Sequence, residues 1–416
     1  MFKRKVAINL LLITCCTLFF ISPIGAADAT DKTNEVDAEY YLRVAIFRDA
    51  GALNLAITGP YKIFALYTNE LLASGKNLRP CEIKPVCNGI IIDDKEYKIV
   101  GVKIRADKDA NIFLNRRCFR GDVDILRTEK VKLLVVNHLN IESYLYGVLH
   151  QEASNKWPME ALKTQAVISR TFALYTSLIS KENDYDVTND FYSQVYGGRH
   201  SERWKTSLAV NATRGEVMVT DGKVFPAYYH STCGGHTESA DKIWNIDAPS
   251  LKSVSCDFCV NSPHYSWDAK LNFKDIQAAL KKSGYIINGS IQTIETEGYD
   301  ESNRIINIKI ISDKSSLTIN ANKFRLALGP FKIKSTNFLI KDVKDGCVYI
   351  EGKGWGHGVG LCQWGAFGMA KKRYKYKDIL SFYYKNAQIE TIKTLLTNNK
   401  EIPYILEKNG KHDRNK

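Results

Sequence analysis

The chain has 416 residues, of which 44% are hydrophobic and 25% charged, so it can bury a sizeable core and is neither disordered nor fibrous. Its formal net charge of +13 indicates an anionic partner such as a cell wall, a membrane surface or a nucleic acid. No nucleic-acid-binding fingerprint accompanies this charge, so nucleic acid is excluded from the predicted partners.

The N-terminal segment, residues 1–27, matches the pattern of an export signal. Three basic residues precede an apolar run over residues 6–21, and Pro23 follows it. Gly25 and Ala27 provide the small residues that a signal-peptide cleavage site requires. An uncleaved membrane anchor is the alternative, because the apolar run is nearly long enough to span a bilayer. In both cases we expect the protein to be exported, to the periplasm or cell envelope.

The remaining chain divides by pattern into four parts. Residues 28–40 are polar and predict a flexible lead-in, and the Lys-rich residues 398–416 predict a mobile tail. Short alternating apolar runs between turn residues predict a β-rich region over residues 41–136. Residues 137–397 begin with a helical pair and then mix helix and strand signals. The predicted fold class is α+β, with mixed strands and helices in two lobes around a cleft.

Two helices are predicted directly after the β-rich region. Apolar residues recur at helical spacing from Ile141 to Leu149, and Asn140 is available as an N-cap. A polar break then precedes Pro158, which suits the first turn of a second helix that ends near Ile179. Further along, we predict strands at residues 215–219 and 224–229 and a helix at residues 374–385.

Glu152 extends the apolar face of the first predicted helix and lies at its C-terminal end, where the helix dipole disfavours negative charge. Burial and the dipole both raise the pKa of a carboxyl group, as a general acid near neutral pH requires. Lys163 and Arg170 are two turns apart on the second helix and therefore share one side, from which they can approach Glu152. Cations there can bind a sugar carboxylate. The structural alternatives are a frayed Glu and two solvated surface charges.

Several further segments carry unusual residue combinations in a fixed order. They are residues 144–152 (YLYGVLHQE), 157–167 (WPMEALKTQAV), 170–171 (RT), 194–198 (QVYGG), 230–238 (HSTCGGHTE) and 354–366 (GWGHGVGLCQWGA). Together these segments resemble the signature of the stage II sporulation protein D family, and the resemblance covers roughly residues 40–390. One departure is Ala153-Ser154, where the family often has Met-Pro.

The resemblance implies a peptidoglycan lytic transglycosylase that prefers glycan strands already stripped of stem peptides. The implied catalytic acid/base is Glu152, within a catalytic region at residues 137–397 and facing a glycan-binding cleft. The substrate-binding residues predicted from the resemblance and the pattern are Lys163, Arg170, Gln194, Tyr196, His230, Ser231 and Thr232. A single carboxyl group suffices because the C6 hydroxyl of the sugar attacks its own anomeric carbon and forms a 1,6-anhydro ring, whereas ordinary glycosidases need two carboxyl groups. No cofactor is required for this chemistry.

Cys233, His236, Cys256 and Cys259 have the spacing of a tetrahedral zinc site, with His264 as an alternative ligand. Such a zinc ion would be structural. Disulfides between these cysteines are the alternative, because the predicted compartment permits them.

Other functions use the same residues differently. The family also contains amidase enhancers, so a non-catalytic wall-binding activator of an N-acetylmuramoyl-L-alanine amidase is the main alternative, with that amidase as a partner. A thiol peptidase using Cys233 with His236 or His230, and a zinc-dependent hydrolase, are further alternatives. Membrane contact is expected only if the N-terminal segment stays uncleaved.

Overall fold

A computed structural model describes residues 40–397, except residues 108, 182, 191 and 192. The predicted signal or anchor lies outside the described residues, as do the lead-in up to residue 39 and the tail at residues 398–416. Helices and strands occur together along the described chain, so the predicted α+β fold class is confirmed. Within the described residues, no helix is both long enough and apolar enough to cross a membrane.

The first part of the described chain consists of strands, because its short apolar runs give each strand a buried face. The strands are β1 (Tyr41–Ala50), β2 (Leu53–Ala65), β3 (Leu71–Val86), β4 (Gly89–Ile92), β5 (Lys95–Tyr97), β6 (Gly101–Ala106), β7 (Asn111–Leu114), β8 (Arg117–Phe119), β9 (Asp122–Arg127) and β10 (Leu133–Asn140). With β11 (Val187–Thr188) they form one sheet in the order β11-β1-β10-β9-β6-β2-β3-β4-β5, which β7 and β8 extend from β2. In this sheet β1 runs antiparallel to β10 and parallel to β11.

Two helices follow β10, α1 (Ile141–Glu152) and α2 (Met159–Ile179). The predicted cap is confirmed, since the Asn140 side chain accepts a hydrogen bond from the Glu142 amide. Pro158 occupies the N-cap position of α2, next to the first turn where the sequence predicts it. The buried faces of both helices belong to the same hydrophobic core as the large sheet, so the sheet fixes the C-terminal end of α1.

The rest of the described chain alternates short helices and strands. The helices are α3 (Trp204–Asn211), α4 (Ala240–Trp244), α5 (Phe273–Lys282), α6 (Ala321–Leu328), α7 (Gln363–Lys371), α8 (Tyr376–Tyr383) and α9 (Ile392–Thr397). The strands are β12 (Glu216–Thr220), β13 (Lys223–Val224), β14 (Tyr229–His230), β15 (Ser266–Asn272), β16 (Ile291–Tyr299), β17 (Ile305–Ser312), β18 (Ser316–Asn320), β19 (Phe338–Lys344), β20 (Cys347–Lys353), β21 (Leu361–Cys362) and β22 (Gln388–Thr391). Turns of 3-10 helix lie at Gly198–Ser201, Pro249–Leu251 and Asp257–Cys259.

These strands form small sheets with the orders β13-β12-β22, β14-β21, β15-β20-β19 and β16-β17-β18. The last two sheets enclose, with α5 and α6, a hydrophobic core of their own. The parallel pair β14-β21 places Tyr229 beside Leu361 and His230 beside Cys362, and so joins two segments that are far apart in the sequence. The predicted continuous strand at residues 224–229 is wrong, because the chain leaves the sheet between β13 and β14. Pro226 lies in that gap and has no amide hydrogen to donate to a strand.

Candidate active site

Glu152 is the last residue of α1 and lies where the buried face of the helix meets the surface. Tyr144, Val148 and Leu149 on the preceding turns are fully buried. The amide of Ala153 donates to the carbonyl oxygen of Leu149 at 2.9 Å and closes the last turn. The Glu152 side chain is half-buried, so its carboxyl group is held against the protein while part of the residue remains open to solvent.

The surroundings of Glu152 favour the protonated carboxyl group. Burial raises the pKa of Glu152 from an ordinary 4.5 to about 7, although hydrogen bonds partly oppose the rise. One of these bonds comes from the Val195 amide, which donates to Oε1 at 3.3 Å, and another comes from the Tyr229 hydroxyl. A carboxyl group with a pKa near 7 exchanges its proton readily at neutral pH, which is the property of a general acid/base.

Gln194 lies behind Tyr229 and orients its hydroxyl. The Gln194 side-chain amide donates to Tyr229 Oη at 3.1 Å, so the hydroxyl hydrogen is available for Glu152. The same amide donates to the Ser169 carbonyl oxygen at 3.3 Å, while the Tyr144 hydroxyl donates to Gln194 Oε1 at 3.2 Å. Gln194 is buried and occupied by these bonds. Gln194 therefore supports the site from inside, and its predicted role in substrate binding stays a prediction.

Gln363 is a site residue that sequence reasoning missed. It begins α7, and its side-chain amide donates to the Glu152 carbonyl oxygen at 3.1 Å and to Gln165 Oε1 at 3.2 Å. Gln165 in turn donates to Ser169 Oγ at 3.1 Å, which links α7 to the buried network of α2. The signal was available, because Gln363 lies within the segment at residues 354–366.

Arg170 does not face Glu152. Its guanidinium group forms a bidentate ion pair with Glu142, with nitrogen–oxygen distances of 2.9 and 2.7 Å, and both side chains are buried. Further donors bond to the carbonyl oxygens of Glu216 and Val210. The guanidinium group of Arg170 is therefore paired inside the protein, and its predicted role in substrate binding stays a prediction. The spacing correctly predicted that Arg170 lies on α2, but it did not predict that Glu142 is the carboxylate with which it pairs.

Lys163 also lies on α2, but its side chain is more exposed to solvent than that of Arg170. Its ammonium group pairs with Glu160 at 3.2 Å and lies 5.5 Å from the centre of the Tyr376 ring. Glu160 also accepts the Tyr376 amide at 2.9 Å, so the pair ties α2 to α8. The Lys163 side chain remains 23% exposed, and its predicted role in substrate binding stays a prediction.

Tyr196 packs into the core below the site. Its ring lies 5.3 Å from the ring of Tyr144, its hydroxyl bonds to Asn137 Oδ1 at 3.1 Å, and the side chain is buried. The polar group of Tyr196 therefore has a partner inside the protein, and its predicted role in substrate binding stays a prediction.

The segment that contains His230, Ser231 and Thr232 crosses the interior beside β21. His230 is buried, with Nδ1 3.2 Å from the Val359 carbonyl oxygen, and Thr232 is buried with its hydroxyl 2.7 Å from Ser262 Oγ. The predicted substrate contacts of His230 and Thr232 stay predictions, and Nε2 of His230 has no hydrogen-bond partner within the part of the chain that the structure describes. Ser231 is half-buried, and its role stays a prediction.

Three half-buried aromatic side chains form a cluster next to Gln363. Trp157, Trp364 and Phe367 have ring centres 5.2–5.5 Å apart. Lys205 donates to the Trp157 carbonyl oxygen, and Lys371 lies 5.8 Å from the centre of the Phe367 ring. Aromatic faces with cations beside them suit a ligand that carries both apolar sugar faces and carboxylates.

Four buried cysteines converge behind β14 and β21. Cys233, Cys256, Cys259 and Cys362 have sulfur atoms that all lie within 4.8 Å of one another. All four are free cysteines, which does not support the disulfide alternative. Cys233 Sγ lies 3.4 Å from Cys259 Sγ rather than beside a histidine, which argues against a thiol peptidase.

This group differs from the predicted ligand set in one member. His236 has its Nδ1 2.8 Å from the Thr237 carbonyl oxygen, and the group contains Cys362 in its place. His264, the alternative ligand, has its ring 4.4 Å from the ring of Trp355. Cys362 was missed because it follows Cys259 by a long stretch of chain, and only the pairing of β14 with β21 brings it close.

Comparison with known proteins identifies two family matches. The family described as stage II sporulation protein matches residues 129–219, the range that holds Glu152 and Gln194. A domain of unknown function, DUF8618, matches residues 253–360.

Related proteins extend the similarity beyond these ranges. An uncharacterized protein of Brachyspira hyodysenteriae is 35% identical over 353 residues, which cover 84% of this chain and 92% of that protein. Stage II sporulation protein D of Bacillus subtilis is 28% identical over 324 residues, covering 72% of this chain and 90% of that protein. The amidase enhancer of Bacillus subtilis is 26% identical over 287 residues, covering 58% of this chain and 39% of that protein.

Proposed function

Because the chain belongs to the family of stage II sporulation protein D and the amidase enhancers, we propose that it is an exported lytic transglycosylase of the bacterial cell wall. Its substrate is the peptidoglycan glycan strand, preferably after removal of stem peptides. The observation that carries the proposal is the half-buried carboxyl group of Glu152, whose pKa is raised to about 7 by burial. This group serves as the single acid/base.

The reaction needs no water and no second carboxyl group. The Glu152 carboxyl group donates its proton to the glycosidic oxygen as the bond from that oxygen to C1 of N-acetylmuramic acid breaks. The C6 hydroxyl oxygen of the same sugar forms the new bond to C1, and its proton passes to the Glu152 carboxylate. Glu152 ends protonated as it began, and the products are a 1,6-anhydro end and a free C4 hydroxyl on the released N-acetylglucosamine. All atoms and charges balance within the two sugars and one carboxyl group.

The hydrogen bonds around Glu152 suit this exchange. Tyr229 and Val195 bond to the carboxylate and stabilise it after the first proton transfer. Gln363 holds the backbone carbonyl of Glu152 and thereby the end of α1. Burial has the larger effect and keeps the pKa of Glu152 near neutrality, so neither the protonated nor the ionised form is trapped.

The aromatic cluster supports a glycan as the ligand. Trp157, Trp364 and Phe367 offer ring faces on which sugar rings can pack, and Lys205 and Lys371 lie next to them. Strands without stem peptides expose lactyl carboxylates, which such cations and the net charge of +13 attract. Lys163 remains a proposed contact of the same kind.

The similarity to the amidase enhancer of Bacillus subtilis favours a second candidate function. In this alternative the chain binds glycan strands and activates a separate N-acetylmuramoyl-L-alanine amidase without cutting the strands itself. The same surface would serve, but Glu152 would have no chemical role.

Mass spectrometry of peptide-free glycan strands distinguishes the candidates. We expect 1,6-anhydro ends after incubation with the wild-type protein and intact strands with Glu152→Gln, which keeps the shape of the side chain without its acid. Glu351→Gln is the matched control, because that carboxylate is exposed on β20 in an ion pair with Lys341 and lies outside the proposed site. Fragments with reducing ends would refute transglycosylation and indicate hydrolysis. Strands that are bound but never cut, together with stimulation of an added amidase, would support the activator.

A further inference from the structure

The four-cysteine cluster, Cys233, Cys256, Cys259 and Cys362, has the dimensions of a tetrahedral metal site. Four sulfur atoms at the usual zinc–sulfur distance of about 2.3 Å would lie about 3.8 Å apart. The sulfur atoms of the cluster all lie within 4.8 Å of one another, and two of them are 3.4 Å apart. Small side-chain adjustments would bring the four to one ion.

The hydrogen bonds around the cluster fit thiolate ligands. The backbone amides of Cys233 and Gly365 both lie 3.2 Å from Cys362 Sγ and donate to it. The Tyr383 hydroxyl lies 3.0 Å from Cys256 Sγ. Donors aimed at sulfur are the outer contacts expected around metal-bound cysteine. An uncharged thiol is a weak hydrogen-bond acceptor, so these donors would form only weak hydrogen bonds with it.

The ligands come from separate elements. Cys256 and Cys259 flank the 3-10 turn with two residues between them, a common spacing for two ligands of one zinc ion. Cys233 follows β14, and Cys362 ends β21 and caps α7. All four are buried, so the cluster is closed to solvent.

We propose that the four-cysteine cluster binds one structural zinc ion. Four protein ligands fill the tetrahedral coordination of zinc and leave no open position, so the ion takes no part in bond cleavage. It joins β14, β21 and the turn at Asp257–Cys259. Tyr229 on β14 and Gln363 at the start of α7 both bond to Glu152, so the zinc ion stabilises the support of the site without contacting the substrate.

Metal analysis of the full chain, purified without chelators, tests the proposal. We expect about one zinc ion per chain in the wild-type protein. Cys362→Ser should lose most of the zinc, whereas Cys347→Ser should keep it, because Cys347 is a buried cysteine of β20 outside the cluster. Zinc-free protein in which the four thiols are free or oxidised would overturn the proposal, and so would stoichiometric iron in place of zinc.

A second measurement covers the case that Cys362→Ser does not fold. Removal of zinc from the wild-type protein by a strong chelator should lower the melting temperature, and added zinc should restore it. An unchanged melting temperature after complete zinc removal would contradict a structural role. Glu152→Gln should retain its zinc, so a zinc-containing wild-type chain that cuts no glycan would refute only the proposed function.

Discussion

Glu152→Gln should make the protein more stable at alkaline pH while it abolishes glycan cleavage. In the folded chain burial disfavours the ionised carboxylate of Glu152 and raises its pKa to about 7, whereas in the unfolded chain the value is near 4.5. Below pH 4.5 the group is protonated in both states, so it does not affect the free energy of unfolding. Between pH 4.5 and 7 the unfolded chain loses the proton first, and the wild-type protein is progressively destabilised. Because glutamine does not ionise, Glu152→Gln removes this destabilisation.

The size of the effect follows from the two pKa values. A rise from 4.5 to about 7 corresponds to roughly 3 kcal/mol of destabilisation above neutral pH. Because Glu152 is only half-buried, solvent screening reduces this figure, and we expect about 1–3 kcal/mol in favour of the variant. In a chain of this size such a difference raises the melting temperature by about 2–6 °C.

Thermal unfolding of both proteins across the pH range measures this difference. The two melting curves should nearly coincide at about pH 4 and separate between about pH 5 and 8. Glu160→Gln is a control of opposite sign. Burial raises the pKa of Glu160, but the bonds of its carboxyl group to the Tyr376 amide and to Lys163 outweigh this effect and lower the pKa. That variant should lose stability at neutral pH. A Glu152→Gln protein that is no more stable than the wild type at about pH 8.5 would refute the reasoning on burial.

Other substitutions test other parts of the site. Arg170→Ala should cost about 3–5 kcal/mol of stability, because Glu142 is left buried without its partner; specific loss of glycan binding in the folded variant would instead show a substrate role for Arg170. Tyr229→Phe removes a hydrogen bond that lowers the pKa of Glu152, so the alkaline limb of the pH–activity profile should move up by roughly half to one pH unit; a shift to lower pH would contradict this. Trp364→Ala, made in the Glu152→Gln background, should weaken binding of glycan strands roughly tenfold, as measured by sedimentation, and unchanged binding would remove the aromatic cluster from the glycan site.

Local patterns in the sequence predict the helices around the site well. Asn140, the apolar spacing of α1 and the position of Pro158 act within a few residues of the elements that they define, so the bounds of α1 and α2 follow from them. The strand predicted across Pro226 is wrong because Pro226 has no amide hydrogen to donate to a neighbouring strand, although the residues around it favour strand structure.

The role of a charged side chain depends on which partner the fold brings to it. The pattern places Arg170 on the correct helix but cannot distinguish Glu152 from Glu142, both of which lie on α1. In the structure Arg170 meets Glu142, because a buried guanidinium group requires a buried carboxylate. Gln194 and Tyr196 belong to a recognisable motif, but a motif does not distinguish residues that contact substrate from buried residues that hold the site in place. Both residues are buried in the structure.

The sequence by itself determined the fold class, the position of Glu152 at the end of α1, and the family. These depend on periodicity, caps and motif order, which are local properties of the chain. Only the tertiary structure decided what surrounds Glu152 and which four cysteines converge. Tyr229 and Gln363 reach Glu152, and Cys362 joins the cluster, because β14 and β21 pair across a long separation in sequence. Such contacts depend on how whole helices and strands pack together, and residue spacing carries no information about that packing.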